Sequence, residues 1–191
     1  MKKMSKIVLT TVMWLGVSAF ANAQNFVLTV HGFDDGGDIP VRFSQAAPDA
    51  APGGGTSPQL SWVNAPAGTQ SFVVNMEDLD FAPNQGARNQ AHWVVWNVPG
   101  DATGLAEDQP EGMQLPNGAY QVSATGRVYR GPGAPATRPR HHYMFEVFAL
   151  DTTLDLEYSD DPLEMRDRVM AAMEGHVLGK SVYIGRFNRP Q

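Results

Sequence analysis

The sequence of 191 residues contains no cysteine. This absence excludes disulfide bonds, thiolate catalysis and zinc sites with cysteine ligands. It also excludes a lipoprotein anchor, which requires a cysteine at the cleavage site. In an oxidising compartment the chain would therefore depend on packing alone for its stability.

Basic residues are also scarce. The chain has 14 Lys and Arg against 20 Asp and Glu, a formal charge of −6. Lys2, Lys3 and Lys6 precede every acidic residue, and without those three lysines 11 basic residues face 20 acidic ones, a formal charge of −9. So acidic a chain is poorly suited to general nucleic-acid binding or to attraction by anionic membranes.

Several catalytic and nucleotide-binding motifs are missing. There is no G-x-S-x-G elbow, no H-E-x-x-H and no dinucleotide fingerprint. Gly179-Lys180-Ser181 resembles the end of a phosphate loop, but Glu174 stands where its first glycine should be, and the segment follows a predicted helix. The common hydrolase and oxidoreductase classes lose support, and we expect neither a cofactor nor turnover.

The first 23 residues have the pattern of an export signal. After the basic head, Ile7–Phe20 is an apolar run without charge, and Ala21-Asn22-Ala23 supplies the small residues of a cleavage site. The run is shorter than the roughly 20 apolar residues of a bilayer span. We predict a signal peptide over 1–23 and a periplasmic or secreted protein that is not inserted in the membrane; an uncleaved anchor is the alternative.

Removing 23 of the 191 residues leaves 168, enough for one domain with a buried core over 24–191. Short segments rich in β-branched or aromatic residues and bounded by turn residues are predicted as strands. They are Phe26–Val30, Leu60–Val63, Ser71–Met76, His92–Val98, Gln121–Val128, Tyr143–Leu150 and Ser181–Phe187. Together with one late helix, they predict an all-β fold of the β-sandwich type with a C-terminal α-helix.

The helix is predicted from Pro162 to about Glu174. Asp161 can cap it, Pro162 suits the first helical position, and Glu164 stands where a capping-box carboxylate belongs. Gly175 can end it. With 14 prolines and 19 glycines in the chain, the loops should be long and irregular, and the loop 46–58 is either a binding loop or a flexible spacer.

Polar residues stand at the ends of three predicted strands. Glu77-Asp78-Leu79-Asp80 follows a strand directly and either forms part of a site or ends the strand in solvent. His92 opens its strand, and alternation places it on the face of Val94 and Trp96, either in a site or as a hydrogen-bonded core residue.

The third group is Arg140-His141-His142-Tyr143, directly before an apolar strand. Alternation pairs His141 with Tyr143 and places His142 on the opposite face. The arginines of this region are Arg127, Arg130, Arg138 and Arg140. Imidazole, phenol and guanidinium groups together can donate to a phosphate or carboxylate, although a solvated basic loop has the same composition.

In combination, these segments resemble the phosphatidylethanolamine-binding protein (PEBP) family, in its bacterial Raf-kinase-inhibitor-like branch. The resemblance covers most of the chain in order. Its motifs are Ser57-Pro58-Gln59-Leu60-Ser61-Trp62, Pro66-Ala67-Gly68-Thr69, Glu77-Asp78-Leu79-Asp80, His92-Trp93-Val94-Val95-Trp96-Asn97-Val98-Pro99, Tyr129-Arg130-Gly131-Pro132, His141-His142-Tyr143 and Gly175-His176-Val177-Leu178-Gly179-Lys180.

The resemblance implies a PEBP-type β-sandwich with a pocket for phosphate-like or other small anionic groups. By the same resemblance, that ligand-binding pocket would be formed by Asp78, Asp80, His92, His141 and Tyr143. The chain departs from the family where Leu79 replaces a usual proline and His142 a common arginine.

The leading hypothesis is therefore an exported binding protein for a small anionic or phosphorylated ligand. Asp78 or Asp80 would accept the second ring proton of His92 or His141 and so favour the imidazolium form when an anion binds. One alternative is a metal-dependent hydrolase with histidine and carboxylate ligands. Another is a protein-interaction or inhibitor module.

Overall fold

The computed structural model describes residues 25–191, so the predicted signal peptide and Gln24 lie outside the described residues. Residues 25–191 form nine strands and one α-helix. The strands are β1 (Val27–Val30), β2 (Gly37–Asp38), β3 (Leu60–Val63), β4 (Ser71–Asp78), β5 (Gln90–Pro99), β6 (Gly104–Leu105), β7 (Tyr120–Val122), β8 (His141–Leu150) and β9 (Val177–Phe187), and helix α1 (Pro162–Ala172) lies between β8 and β9.

The strands form two sheets. The larger has the order β2-β9-β8-β4-β5-β7, and the smaller has the order β1-β3-β6. Neighbouring strands are antiparallel except β2, which runs parallel to β9. The predicted β-sandwich with one late helix is confirmed.

The first core cluster fills the space between the two sheets. Phe72, Val74 and Met76 alternate along β4 on the face that meets the smaller sheet, which contributes Leu28 and Trp62. Alternation explains this arrangement, because every second residue of a strand points to the same face. Burying each of these large side chains contributes about 1.5–3 kcal/mol.

The second core cluster lies on the other face of the larger sheet, beneath α1. Met165 and Val169 of the helix pack there with Trp96 of β5. Asp161 caps the helix by accepting hydrogen bonds from two backbone N–H groups, as predicted. The capping-box role of Glu164 is wrong, because its carboxylate accepts instead from Ser159 and Arg168.

One predicted strand and the predicted helix are shorter in the structure than expected. The strand expected over Gln121–Val128 ends at Val122, because the Ser123 hydroxyl accepts from the Thr125 N–H and a tight turn closes through Gly126. The helix ends at Ala172, before Glu174. Over residues 25–191, no helix has the length and apolar character needed to cross a bilayer.

Candidate functional site

The end of β4 and the start of β8 bring three polar side chains together. Asp78 is paired with Tyr143 in the sheet, and His141 lies two residues before Tyr143 on the same face. His141 Nδ1 donates to Asp78 Oδ2 over 2.8 Å. Both side chains are largely buried, with 15% of His141 and 6% of Asp78 exposed.

A β-bulge turns His92 toward these residues. On β5, Trp93 pairs with Met76 while Ala91 pairs with Glu77, which leaves His92 as the extra residue between them. Such a bulge changes the face to which a side chain points. The prediction that His92 shares a face with Val94 and Trp96 is therefore wrong: those two pack beneath the helix, whereas the His92 ring meets Tyr143 edge to face at 5.1 Å.

Arg130 holds the His92 side chain in place. His92 Nδ1 donates to the Arg130 carbonyl oxygen over 3.0 Å, and the Arg130 N–H donates to the His92 carbonyl oxygen over 3.2 Å. Burial lowers the pKa of His92 to about 4; the Arg130 charge lowers it further, and the carbonyl acceptor and the Asp78 charge oppose this. The ring is accordingly neutral at pH 7.

These side chains line one cavity of about 160 Å³. Four of the five predicted site residues lie in its wall: Asp78, His92, His141 and Tyr143. The other wall residues are Gln45, Phe81, Gln90, Arg130, Gly133, Ala134 and Pro135.

Asp80, the fifth predicted site residue, does not line this cavity. Asp78 Oδ1 accepts from the Asp80 N–H over 2.9 Å, and this turn ends the alternation of β4. Asp80 Oδ2 then accepts from the His142 N–H at 2.6 Å and from His142 Nδ1 at 3.0 Å. Burial raises the pKa of Asp80, but these hydrogen bonds outweigh it and hold the pKa below its ordinary value.

Tyr143 connects the cavity to the loop that contains Gly133 and Ala134. Its hydroxyl oxygen accepts from the backbone N–H groups of Gly133 and Ala134, each over 3.2 Å. Burial is the main cause that raises the pKa of this phenol, and the Asp78 charge adds to it. The hydroxyl therefore stays protonated at neutral pH and keeps one proton to donate.

Arg130 and Gln45 also line the cavity, although neither is among the five site residues predicted from the sequence. Arg130 belongs to the predicted arginine group, but it alone of that group reaches the cavity. Arg127 pairs with Asp160 outside it. Gln45 Nε2 donates to the Gly131 carbonyl oxygen over 2.7 Å across 86 residues of sequence, and no local pattern marks it.

The hydrogen bonds fix what the two imidazoles can offer a ligand. Both rings donate through Nδ1, His92 to a carbonyl and His141 to a carboxylate. Within residues 25–191, neither Nε2 forms a hydrogen bond to protein. A neutral ring with its proton on Nδ1 presents Nε2 as an acceptor, and the same atom becomes a donor when the ring is protonated.

Orientation of Nδ1 by a carboxylate or carbonyl is also typical of metal-binding histidines. Residues 25–191, however, contain no group of three or more His, Asp or Glu side chains arranged to hold a metal ion. The donor geometry thus gives no support to the metal-hydrolase alternative.

Comparison with known proteins gives consistent matches over this region. A family model described as phosphatidylethanolamine-binding protein matches residues 29–188. The UPF0098 protein of Methanothermobacter thermautotrophicus is 38% identical over 164 residues, which are 85% of this chain and 98% of that protein.

Two solved structures show the same fold. Escherichia coli YbcL, a member of the mammalian PEBP family, has a TM-score of 0.71 at 26% identity, covering 87% of this chain and 100% of that chain. A PEBP homologue from Chlamydia trachomatis, CT736, has a TM-score of 0.69 at 27% identity, covering 87% and 99% of the two chains.

Proposed function

Since this chain belongs to the phosphatidylethanolamine-binding protein family, we propose that it is an exported binding protein whose cavity takes a small anionic or phosphorylated group without turnover. The export signal predicted from the sequence of residues 1–23 supports a periplasmic or secreted location. The cavity volume of about 160 Å³ supports a small ligand, because sites for drug-sized molecules are typically about 300–1,000 Å³.

The observation that carries the proposal is the state of Arg130. Arg130 is one of the wall residues of the cavity and forms no ion pair with a carboxylate of residues 25–191, and its Nε is buried without a hydrogen-bond partner there. Burial lowers the pKa of Arg130, yet a guanidinium remains charged at any physiological pH. A partly buried, unpaired cation of this kind favours an anionic partner.

Asp78 has a positive role in anion binding even though it carries a negative charge. Its carboxylate accepts the Nδ1 proton of His141, so the ring can keep this proton when Nε2 also carries one. An anion at His141 Nε2 favours the imidazolium form, because Nε2 must then donate. Binding of an oxyanion should therefore be coupled to uptake of a proton.

The composition of the wall supports binding without chemistry. The lining residues include no serine, threonine or lysine, so the usual nucleophiles other than carboxylate, imidazole and phenol are missing from this wall. Asp78 is engaged by His141, and the Tyr143 hydroxyl is held protonated. The Tyr143 hydroxyl is hydrogen-bonded to backbone N–H groups and to neither imidazole, so the wall contains no hydroxyl nucleophile activated by a histidine.

A matched pair of variants tests the site by titration calorimetry with inorganic phosphate and with phosphoethanolamine. Asp78→Asn removes a negative charge from the cavity and also the acceptor of the His141 proton. We expect it to weaken phosphate binding by about tenfold, since loss of a charge-assisted hydrogen bond costs about 1.5–3 kcal/mol. Asp80→Asn, which changes the same charge outside the cavity, should stay within about twofold of wild type.

The proposal fails if neither ligand produces binding heat with wild-type protein. It also fails if Asp78→Asn binds phosphate more tightly, because the carboxylate would then act only by repulsion. Equal losses in Asp78→Asn and Asp80→Asn would place the ligand elsewhere.

A further inference from the structure

We propose a second oxyanion site, formed by Arg140, Arg186 and Arg189 around Asp38 and separate from the cavity described above. These residues line a surface depression of about 300 Å³ at the β2 edge of the larger sheet. Its ligand would be a phosphate, sulfate or carboxylate group. No residue of its wall lines the first cavity.

The fold brings Asp38, Arg140 and the pair Arg186 and Arg189 together from three places in the chain. Asp38 on β2 pairs with Arg186 on β9 in the parallel register of the sheet edge. The guanidinium groups of Arg186 and Arg140 each approach the Asp38 carboxylate at 3.3 Å. Arg189 is positioned by its Nε, which donates to the Gly133 carbonyl oxygen over 3.3 Å.

The charges in this depression are unbalanced. Three arginine side chains and one acidic side chain line the depression, an excess of basic side chains in a chain whose acidic residues outnumber its basic ones. Asp38 is itself half exposed, so it neutralises its neighbours only partly.

One hydrogen-bond donor in the cluster has no acceptor. Arg186 Nε is buried and has no partner within residues 25–191. The side chains of Arg140 and Arg186 are about half exposed, and the planar fork of a guanidinium matches the two oxygens of a phosphate or carboxylate. An oxyanion bound between the arginines would accept from their exposed N–H groups and balance the charge.

This site differs from the first cavity in its expected pH dependence. Arginine and a solvent-exposed aspartate do not change charge between pH 6 and 8. Binding of sulfate, which also keeps its charge over that range, should therefore be unchanged there. The first cavity, by contrast, depends on protonation of an imidazole.

The test is a sulfate titration at pH 8 and low ionic strength, followed by calorimetry and by the NMR signals of the arginine Nε–H groups. Wild type should bind, with a shift of the Arg186 Nε–H signal. Arg140→Gln and Arg189→Gln should each weaken binding by about tenfold. Arg138→Gln is the matched control, because Arg138 lies in the same loop and forms no ion pair in the described part of the chain.

Two further variants separate this site from the proposed function. The shift of the Arg186 Nε–H signal on addition of sulfate should be the same in His141→Ala as in wild type, because that signal reports this site and not the first cavity. Asp38→Asn should strengthen binding at this site because a competing carboxylate is removed. Absence of the Arg186 shift in wild type would overturn the proposal, as would equal effects of Arg140→Gln and Arg138→Gln. Loss of the shift in His141→Ala would assign the anion to the first cavity and overturn it too.

Discussion

Mild acid should destabilise this fold through His92. The folded protein holds the ring neutral with a pKa of about 4, mainly because of burial, whereas an unfolded chain has a histidine pKa of about 6.5. Between these values the unfolded state binds a proton that the folded state does not, so stability falls as the pH is lowered. Above pH 6.5 the effect vanishes, and below pH 4 it is complete.

The magnitude follows from the two pKa values. At pH 5 an unfolded histidine is almost fully protonated and the folded one is mostly neutral, which corresponds to a loss of about 2 kcal/mol relative to pH 7.5. For a domain of this size the loss lowers Tm by about 4–8 °C. The full penalty, reached below pH 4, is about 3 kcal/mol.

The assay is urea unfolding of wild type and His92→Asn at pH 7.5 and pH 5. An asparagine amide nitrogen lies where His92 Nδ1 lies, so the variant can still donate to the Arg130 carbonyl, but it does not titrate. His92→Asn should lose about 2 kcal/mol less than wild type over this pH interval. His176→Asn, at a half-exposed histidine paired with Asp151, is the control and should behave as wild type.

A wild-type protein with the same pH dependence as His92→Asn would refute the role assigned to His92. An NMR titration of the folded protein gives a second measurement that does not depend on the stability of the variant. A His92 midpoint near 6.5 would show that the ring is not buried as described.

Two substitutions outside the cavity test the packing around it by urea unfolding. Arg166→Ala should cost about 3–5 kcal/mol, because Arg166 is the ionic partner of the buried Glu77 carboxylate; a loss below about 1 kcal/mol would show that the pair is solvated. Gly131→Ala should also destabilise, because an added Cβ would lie 2.6 Å from the Gly54 carbonyl oxygen and 2.7 Å from that of Phe43. Unchanged stability in Gly131→Ala would show that these backbones are free to move apart.

Much of the fold and part of the site could be predicted from sequence, since both depend on alternation within regular strands. His141 and Tyr143 were correctly paired on one face because β8 is regular there. The strands themselves run further than predicted, to Asp78 in β4 and back to Gln90 in β5. Polar residues at strand ends still pair in the sheet, although their composition suggests loops.

The differences from the prediction arise where a single residue breaks that regularity. His92 reaches the cavity through a bulge that depends on the pairing of two strands, and nothing in its own segment reveals it. Asp80 leaves the cavity because the neighbouring Asp78 side chain captures its N–H. Arg130 differs from the other arginines only in its tertiary neighbours, which a local pattern does not contain.

The most direct test of the proposed cavity function counts the protons taken up when an anion binds. Sulfate is the appropriate probe, because phosphate itself titrates near neutral pH and sulfate does not. Calorimetry at pH 7.5 in two buffers of different ionisation enthalpy, on Arg140→Gln protein in which the second sulfate site is weakened, gives the number of protons exchanged per ion bound in the cavity. We predict net uptake of a proton by this protein, weaker binding as the pH is raised, and no uptake when Asp78→Asn is added. Binding of sulfate to the cavity without proton uptake would contradict the coupling between Asp78, His141 and the ligand.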